Sequence, residues 1–146
     1  MKFNERLKAM RKRFKITQKS ISDHLGVTLR TYQRYEEGTI EPPLSTASAI
    51  AEYFGMPADC LLGNGFYANW EEILAHKDTI LYLLTEKLFS FPEDWNISDF
   101  SEKQLARLLP AVFSRITFDK TSNTITLYPL LPLSFEQPIE VPFEES

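Results

Sequence analysis

Between positions 1 and 35, ten lysines and arginines face only two acids, Glu5 and Asp23, a local charge of +8. A basic segment of this density suits a polyanion partner. Within it, Arg30, Gln33 and Arg34 sit close to Tyr32 and Tyr35. On a helix, residues three apart share a face. If the two tyrosines turn inward, Leu29, Arg30, Gln33 and Arg34 face outward. No pattern of this density supports catalysis. There is no HExxH, the single cysteine is Cys60, and His24 and His76 stand alone. Lys77, Lys87, Lys103 and Lys120 have no nucleophile context. No catalytic, cofactor or metal site is expected.

Short helices position the outward residues. Phe3, Leu7, Met10 and Phe14 mark one face of a helix over about 4–14. Thr17 can cap a second helix from Gln18 to Leu25, which Gly26 ends. Thr28 caps a third, from Leu29 to Glu37, which Gly38 ends. Two short helices joined by a turn of about three residues form a helix-turn-helix. After Pro42-Pro43, a fourth helix runs from about Leu44 to Phe54 with Ala47, Ile50, Ala51 and Phe54 buried. Pro57 opens a fifth, through Leu62. Gly63-Asn64-Gly65 reads as a boundary.

The segment from about Arg6 to Gly63 resembles the lambda-repressor/Cro-like (XRE) helix-turn-helix family of transcriptional regulators. The matching residues are Thr17-Gln18, Ile21, small Ser22, Leu25, Gly26, Val27, Tyr32, Tyr35, Glu36-x-Gly38, Pro42, Ile50-Ala51 and Phe54-Gly55. The resemblance implies that the third helix enters the major groove of double-stranded DNA by its N-terminal end. It puts base reading on Leu29, Arg30 and Arg34, with Gln33 on the same outward face. Arg pairs bidentately with guanine, and Leu29 either touches a thymine methyl or is simply an exposed leucine. Gln18, Thr28 and Thr31 match phosphate-holding positions, with Thr17 and Lys19 beside them. Arg11 and Glu36 match an ion pair tying the first helix to the third. One departure is plain: the loop Thr39-Ile40-Glu41 has no basic residue, and Glu37 and Glu41 should repel phosphate.

The remainder reads differently. From Asn64 onward six basic residues face thirteen acids, against ten and seven before it, within an overall charge of −4. The fold expected is mainly α: a five-helix DNA-binding domain (1–63), a linker (64–68), and a small helical domain with a β-hairpin (69–146). A long helix is expected over about Asn69 to Ser90, closed by Phe91-Pro92, with its apolar run Ile80–Leu84 buried on more than one face. Ser101 and Gln104 make a capping box for another helix, to about Ser114, with Pro110 inside it. Arg115–Asp119 and Thr124–Tyr128 alternate like hairpin strands. The proline-rich, acidic tail from Pro129 should be extended and unable to supply a central strand. Cys60 and Trp95 read as core.

No apolar run approaches the roughly 20 residues of a membrane span, and Met1–Arg6 lacks a signal-peptide pattern. A cytoplasmic location is expected. The leading expectation is a dimeric repressor reading a palindromic operator. Residues 69–146 would dimerise, or would bind a protein partner or small ligand. The alternative is an antitoxin-like regulator whose C-terminal part binds a protein and whose DNA binding is autoregulatory.

Overall fold

The computed structural model describes residues 1–88, 99–130 and 139–142. The chain divides into two compact units, Met1–Asn64 and Gly65–Ser146.

The first unit is five helices: α1 (Phe3–Arg13), α2 (Gln18–Leu25), α3 (Leu29–Glu37), α4 (Leu44–Phe54) and α5 (Ala58–Leu62). The apolar stripe of α1 places Leu7 and Met10 in a core completed by Ile21, Tyr32, Ile50, Phe54 and Leu61. Each such buried aliphatic or aromatic side chain stabilises the fold by about 1.5–3 kcal/mol. Phe14 lies against Phe54, ring centroids 5.6 Å apart. Leu25 and Val27 are only half-buried, because they stand at the end of α2 and in the turn, at the margin of that core. Pro43 offers α4 no side-chain cap. The helix starts there regardless, with Ala47 N–H donating to the Pro43 carbonyl at 2.9 Å, since a proline at a helix start removes no intrahelical bond.

Two glycines meet different surroundings in the same left-handed conformation. Gly26 (φ +70°) closes α2 in open space. Gly63 (φ +71°) closes α5 directly over the Arg6 guanidinium, which a Cβ there would approach to 2.4 Å. Arg6 is 6% exposed. It donates to the carbonyls of Met1 (3.1 Å) and Leu61 (3.4 Å), so a cation serves one C-terminal carbonyl of α5.

The second unit begins with a 3-10 turn, Gly65–Asn69, where the sequence suggested a linker. Tyr67 buries its ring, and its hydroxyl donates to the Ala106 carbonyl at 2.6 Å. Asn69 Nδ2 donates to the Ile116 carbonyl at 2.5 Å. These tertiary bonds build the segment into the unit. The expected long helix is instead α6 (Trp70–Ala75), α7 (Lys77–Leu83) and a π turn (Leu84–Leu88), broken at His76. His76 departs from helical geometry (φ −115°, ψ 23°), and its ring rests against Phe118. At the π turn, Thr85 Oγ1 donates to the Leu81 and Tyr82 carbonyls, at 3.1 and 2.9 Å, a side-chain competitor within the backbone ladder. Ile80, Leu81, Leu83 and Leu84 are buried, so α7 is covered on more than one face, while Tyr82 is exposed. Phe91, Pro92 and Trp95 lie outside the described residues.

Ser101 and Gln104 cap α8 (Glu102–Val112) reciprocally. It ends two residues before the sequence suggested, because Phe113 is already extended and fully buried. The sheet has the order β1 (Phe113–Asp119), β2 (Thr124–Pro129), β3 (Ile139–Pro142), all antiparallel. The tail therefore adds a third strand to the expected hairpin, at the edge, where a proline is tolerated. Trp70 Nε1 donates to Glu102 at 3.0 Å, tying α6 to α8.

Replacing Gly26 with alanine is expected to cost about 1–2 kcal/mol, the ordinary left-handed penalty. Gly63→Ala should cost distinctly more, because the new Cβ also displaces Arg6. Urea denaturation of the two variants tests this, and equal midpoints would show that Gly63 answers only to its backbone angle.

Candidate nucleic-acid interface

The reading unit is built from its caps. Thr17 Oγ1 accepts from Ser20 N–H at 3.0 Å, opening α2. Thr28 Oγ1 accepts from Thr31 N–H at 3.1 Å, opening α3. Between them, Gly26 and Val27 return their amides to Asp23 and Ser22 carbonyls at 3.2 and 3.1 Å. Ser22 is fully buried, its hydroxyl bonded to the Lys19 carbonyl at 2.9 Å; a larger side chain has no room there. Tyr32 and Tyr35 turn inward, edge to face at 6.2 Å. Leu29, Arg30 and Arg34 are exposed and Gln33 is half-buried, on the other side of α3.

Behind that face lies a buried carboxylate. Glu36 is 7% exposed and collects donors from three helices. Arg11 of α1 grips it twice, through Nε to Oε1 and through Nη2 to Oε2 at 3.1 Å. Gln18 of α2 donates to Oε2 at 2.9 Å, and the Tyr32 hydroxyl to Oε1 at 2.9 Å. Arg11 Nη1 also holds the Ile16 carbonyl at 3.0 Å. Burial opposes ionisation of Glu36. The hydrogen bonds from Arg11, Gln18 and Tyr32 and the Arg11 charge outweigh it, so its pKa falls below 4.5. The hydrogen bond to Glu36 raises the Arg11 pKa against the opposing effect of burial. Burial first, then the neighbouring carboxylate, pushes the Tyr32 hydroxyl far above its ordinary range.

The remaining residues singled out by sequence are placed as follows. Gln18 is turned into the protein: its Nε2 serves Glu36, and its Oε1 accepts from Gln33 Nε2 at 3.5 Å. What α2 then offers outward is the backbone N–H at its start. Lys19 is exposed and paired with Asp23 at 2.7 Å. Thr28 and Thr31 hydroxyls bond each other at 2.9 Å. Arg30 is paired with Glu37 at 3.1 Å. Arg34 has no ion pair or side-chain hydrogen bond among the described residues. The loop after α3 is closed by Thr39, whose N–H and hydroxyl both return to the Arg34 carbonyl.

Two contributors carry no sequence signal. Asn4 Nδ2 donates to the Glu36 carbonyl at 3.3 Å, and its side chain fills the space under Gly38. Tyr53 of α4 shares a hydrogen bond with Ser20 at 3.0 Å, and its ring lies tilted against His24, centroids 4.4 Å apart. Both are long-range pairings that only the fold creates.

Five short helices with a capped α2–turn–α3 and a basic outward face on α3 define a helix-turn-helix DNA-binding domain. A helix-turn-helix domain family matches residues 4–64. Among relatives, the chain is 36% identical over 81 residues to the SPbeta prophage-derived uncharacterized HTH-type transcriptional regulator YonR of Bacillus subtilis, covering 54% of this chain and 74% of that protein. It is 40% identical over 60 residues to the uncharacterized HTH-type transcriptional regulator YqaE of the same organism, covering 41% and 52%. It is 35% identical over 87 residues to the cryptic phage CTXphi transcriptional repressor RstR of Vibrio cholerae, covering 60% and 78%. No solved structure matches. The chain belongs to the XRE-like family of HTH-type transcriptional regulators: it is a DNA-binding regulator, from a family that is not enzymatic. Among the described residues no helix is long and apolar enough to cross a membrane.

Because the Glu36 carboxyl is more acidic folded than unfolded, its ionisation stabilises the fold above about pH 4.5, and that contribution is lost as pH falls through the lower folded value. Glu36→Gln should therefore be less stable than wild type at pH 7, with the gap narrowing on acidification. Arg11→Ala, which strands a buried carboxylate, should cost about 3–5 kcal/mol at pH 7. Urea titrations at pH 7 and pH 3.5 check both. A gap for Glu36→Gln that is the same at the two pH values would refute the assignment.

Proposed function

We propose that this chain is a repressor that binds a palindromic operator as a homodimer and reads it with α3 in the major groove. Arg34 reads a base directly, and Arg30, Gln33 and Leu29 line the same surface. The phosphates are met by the start of α2, at Thr17, Gln18 and Lys19, and by the start of α3, at Thr28 and Thr31. The observation that carries this reading is the division of α3 into two faces. Tyr32, Tyr35 and Glu36 are buried, and Arg34 stands exposed without a partner among the described residues. An unpaired guanidinium on a rigid helix meets guanine O6 and N7 without first breaking another bond.

A single module of this kind covers little DNA. A two-fold dimer reading half-sites about 34 Å apart doubles the contact. Residues 69–146, within the second compact unit, are assigned to dimerisation in this scheme. The repressor sense follows the relatives named as phage repressors. The site of action is the cytoplasm, where the DNA and a reducing environment for Cys60 coincide.

Selection of duplexes from a random pool should return a two-fold symmetric sequence. On that sequence Arg34→Ala should lose about 1–3 kcal/mol and relax preference at one base pair per half-site. Gel-shift titration against single-base variants measures it. An Arg34→Ala chain with unchanged base preference would remove Arg34 from the reading surface.

A further inference from the structure

The two arginines of the reading face are not equivalent. Arg34 has no partner among the described residues, whereas Arg30 Nη1 lies 3.1 Å from Glu37 Oε1. The two paired residues are seven apart in sequence. Seven residues are two helical turns, which returns to nearly the same azimuth about 10.5 Å further along. Both side chains must therefore stretch toward each other along α3, across the surface that would face the groove. This is unlike Lys19–Asp23, an ordinary one-turn neighbour pair. Arg30 and Glu37 remain 60% and 46% exposed, so solvent and DNA can compete for either.

We infer that Glu37 gates base reading: it latches Arg30 against α3, so that Arg30 is released by DNA offering a two-point acceptor and not by phosphate alone. The inference rests on the DNA-reading role proposed above for α3. An exposed ion pair is worth a factor of about 1.4 to 5 in equilibrium. A single phosphate contact on random DNA returns a comparable amount, so exchanging Glu37 for a phosphate gains little. It also leaves an unpaired carboxylate beside the DNA backbone. A bidentate guanine pairing returns a factor of about 5 to 150, enough to open the latch. The carboxylate thus lowers affinity for every duplex that engages Arg30: by the full worth of the pair on the operator, and on random DNA by no more than the phosphate contact it forestalls. The latch gives the acid at the end of α3 a role beyond repelling phosphate.

The test uses the full chain, the duplex selected by wild type from a random pool, and a random-sequence duplex of equal length. Glu37→Gln should bind the random duplex up to about five-fold more tightly, and the selected duplex by at least the same factor, since Arg30 has left Glu37 there in wild type. Its salt dependence on random DNA should steepen by about 0.9, one further phosphate neutralised. In an Arg30→Ala background the same substitution should leave that slope unchanged. Thermal melting of each variant checks that the exposed substitutions leave the fold intact. No gain on the selected duplex, or a gain kept in full without Arg30, would make Glu37 a repelling charge at most and overturn the latch. A wild-type chain that prefers no duplex would overturn the DNA reading itself, a result separate from the latch because it appears before any variant is made.

Discussion

Glu36 is a charge removed from water by the elements that need it. Its carboxylate is reached by Arg11 from α1, Gln18 from α2 and Tyr32 from α3 itself, while Asn4 holds its backbone carbonyl. Apolar contacts would press the same three helices together, but they have no direction. A carboxylate with donors arriving from fixed bearings admits one rotation and one height of α3 against α1 and α2. The orientation of everything on the far face, Leu29, Arg30, Gln33 and Arg34, follows from that setting. A buried ion pair is weak evidence for net stability, because desolvation offsets much of the attraction. Its contribution here is to register.

The reading surface is thus rigid behind and chemically graded in front. Arg34 is open, Arg30 is tied to Glu37, and the Gln18 amide is turned inward. Basic residues cluster on α1, while Glu37 and Glu41 flank the end of α3. A uniformly basic face would maximise nonspecific attraction to phosphate, which carries no sequence information. Acids at its margin favour contacts that return more than a single phosphate does. The second unit, with its own buried aromatic cluster around Tyr67 and Trp70, has a core that owes nothing to DNA.

Local signals were legible wherever one turn of chain decides the outcome. Thr17, Thr28 and Ser101 cap helices because an oxygen three residues before a free amide can reach it, and Gly26, Gly38, Gly55 and Gly63 end helices because only glycine takes that turn without strain. Signals failed where a distant residue decides. The apolar period from Asn69 to Ser90 reads as one helix, yet the chain breaks at His76, where Phe118 from β1 meets the ring. Residues 64–68 read as a linker after the boundary Gly63-Asn64-Gly65, yet Tyr67 within them is bonded to α8 and Asn69 just beyond them to β1.

The sequence by itself therefore determined that this chain carries a capped helix-turn-helix with two tyrosines inside and two arginines outside. Those features depend on helical period and on neighbours within four residues, which any reading of the chain contains. Only the tertiary structure decided which polar groups remain available to a partner. Gln18 stands at a helix start, where its side chain could serve an anion, and the fold assigns it to Glu36 instead. Arg30 and Arg34 are alike as residues, and what separates them is the reach of Glu37 along α3, a pairing beyond the four-residue neighbourhood that the sequence pattern describes. Hydrogen-bonding capacity is a property of the residue; whether it is already used depends on what the fold brings within about 3 Å.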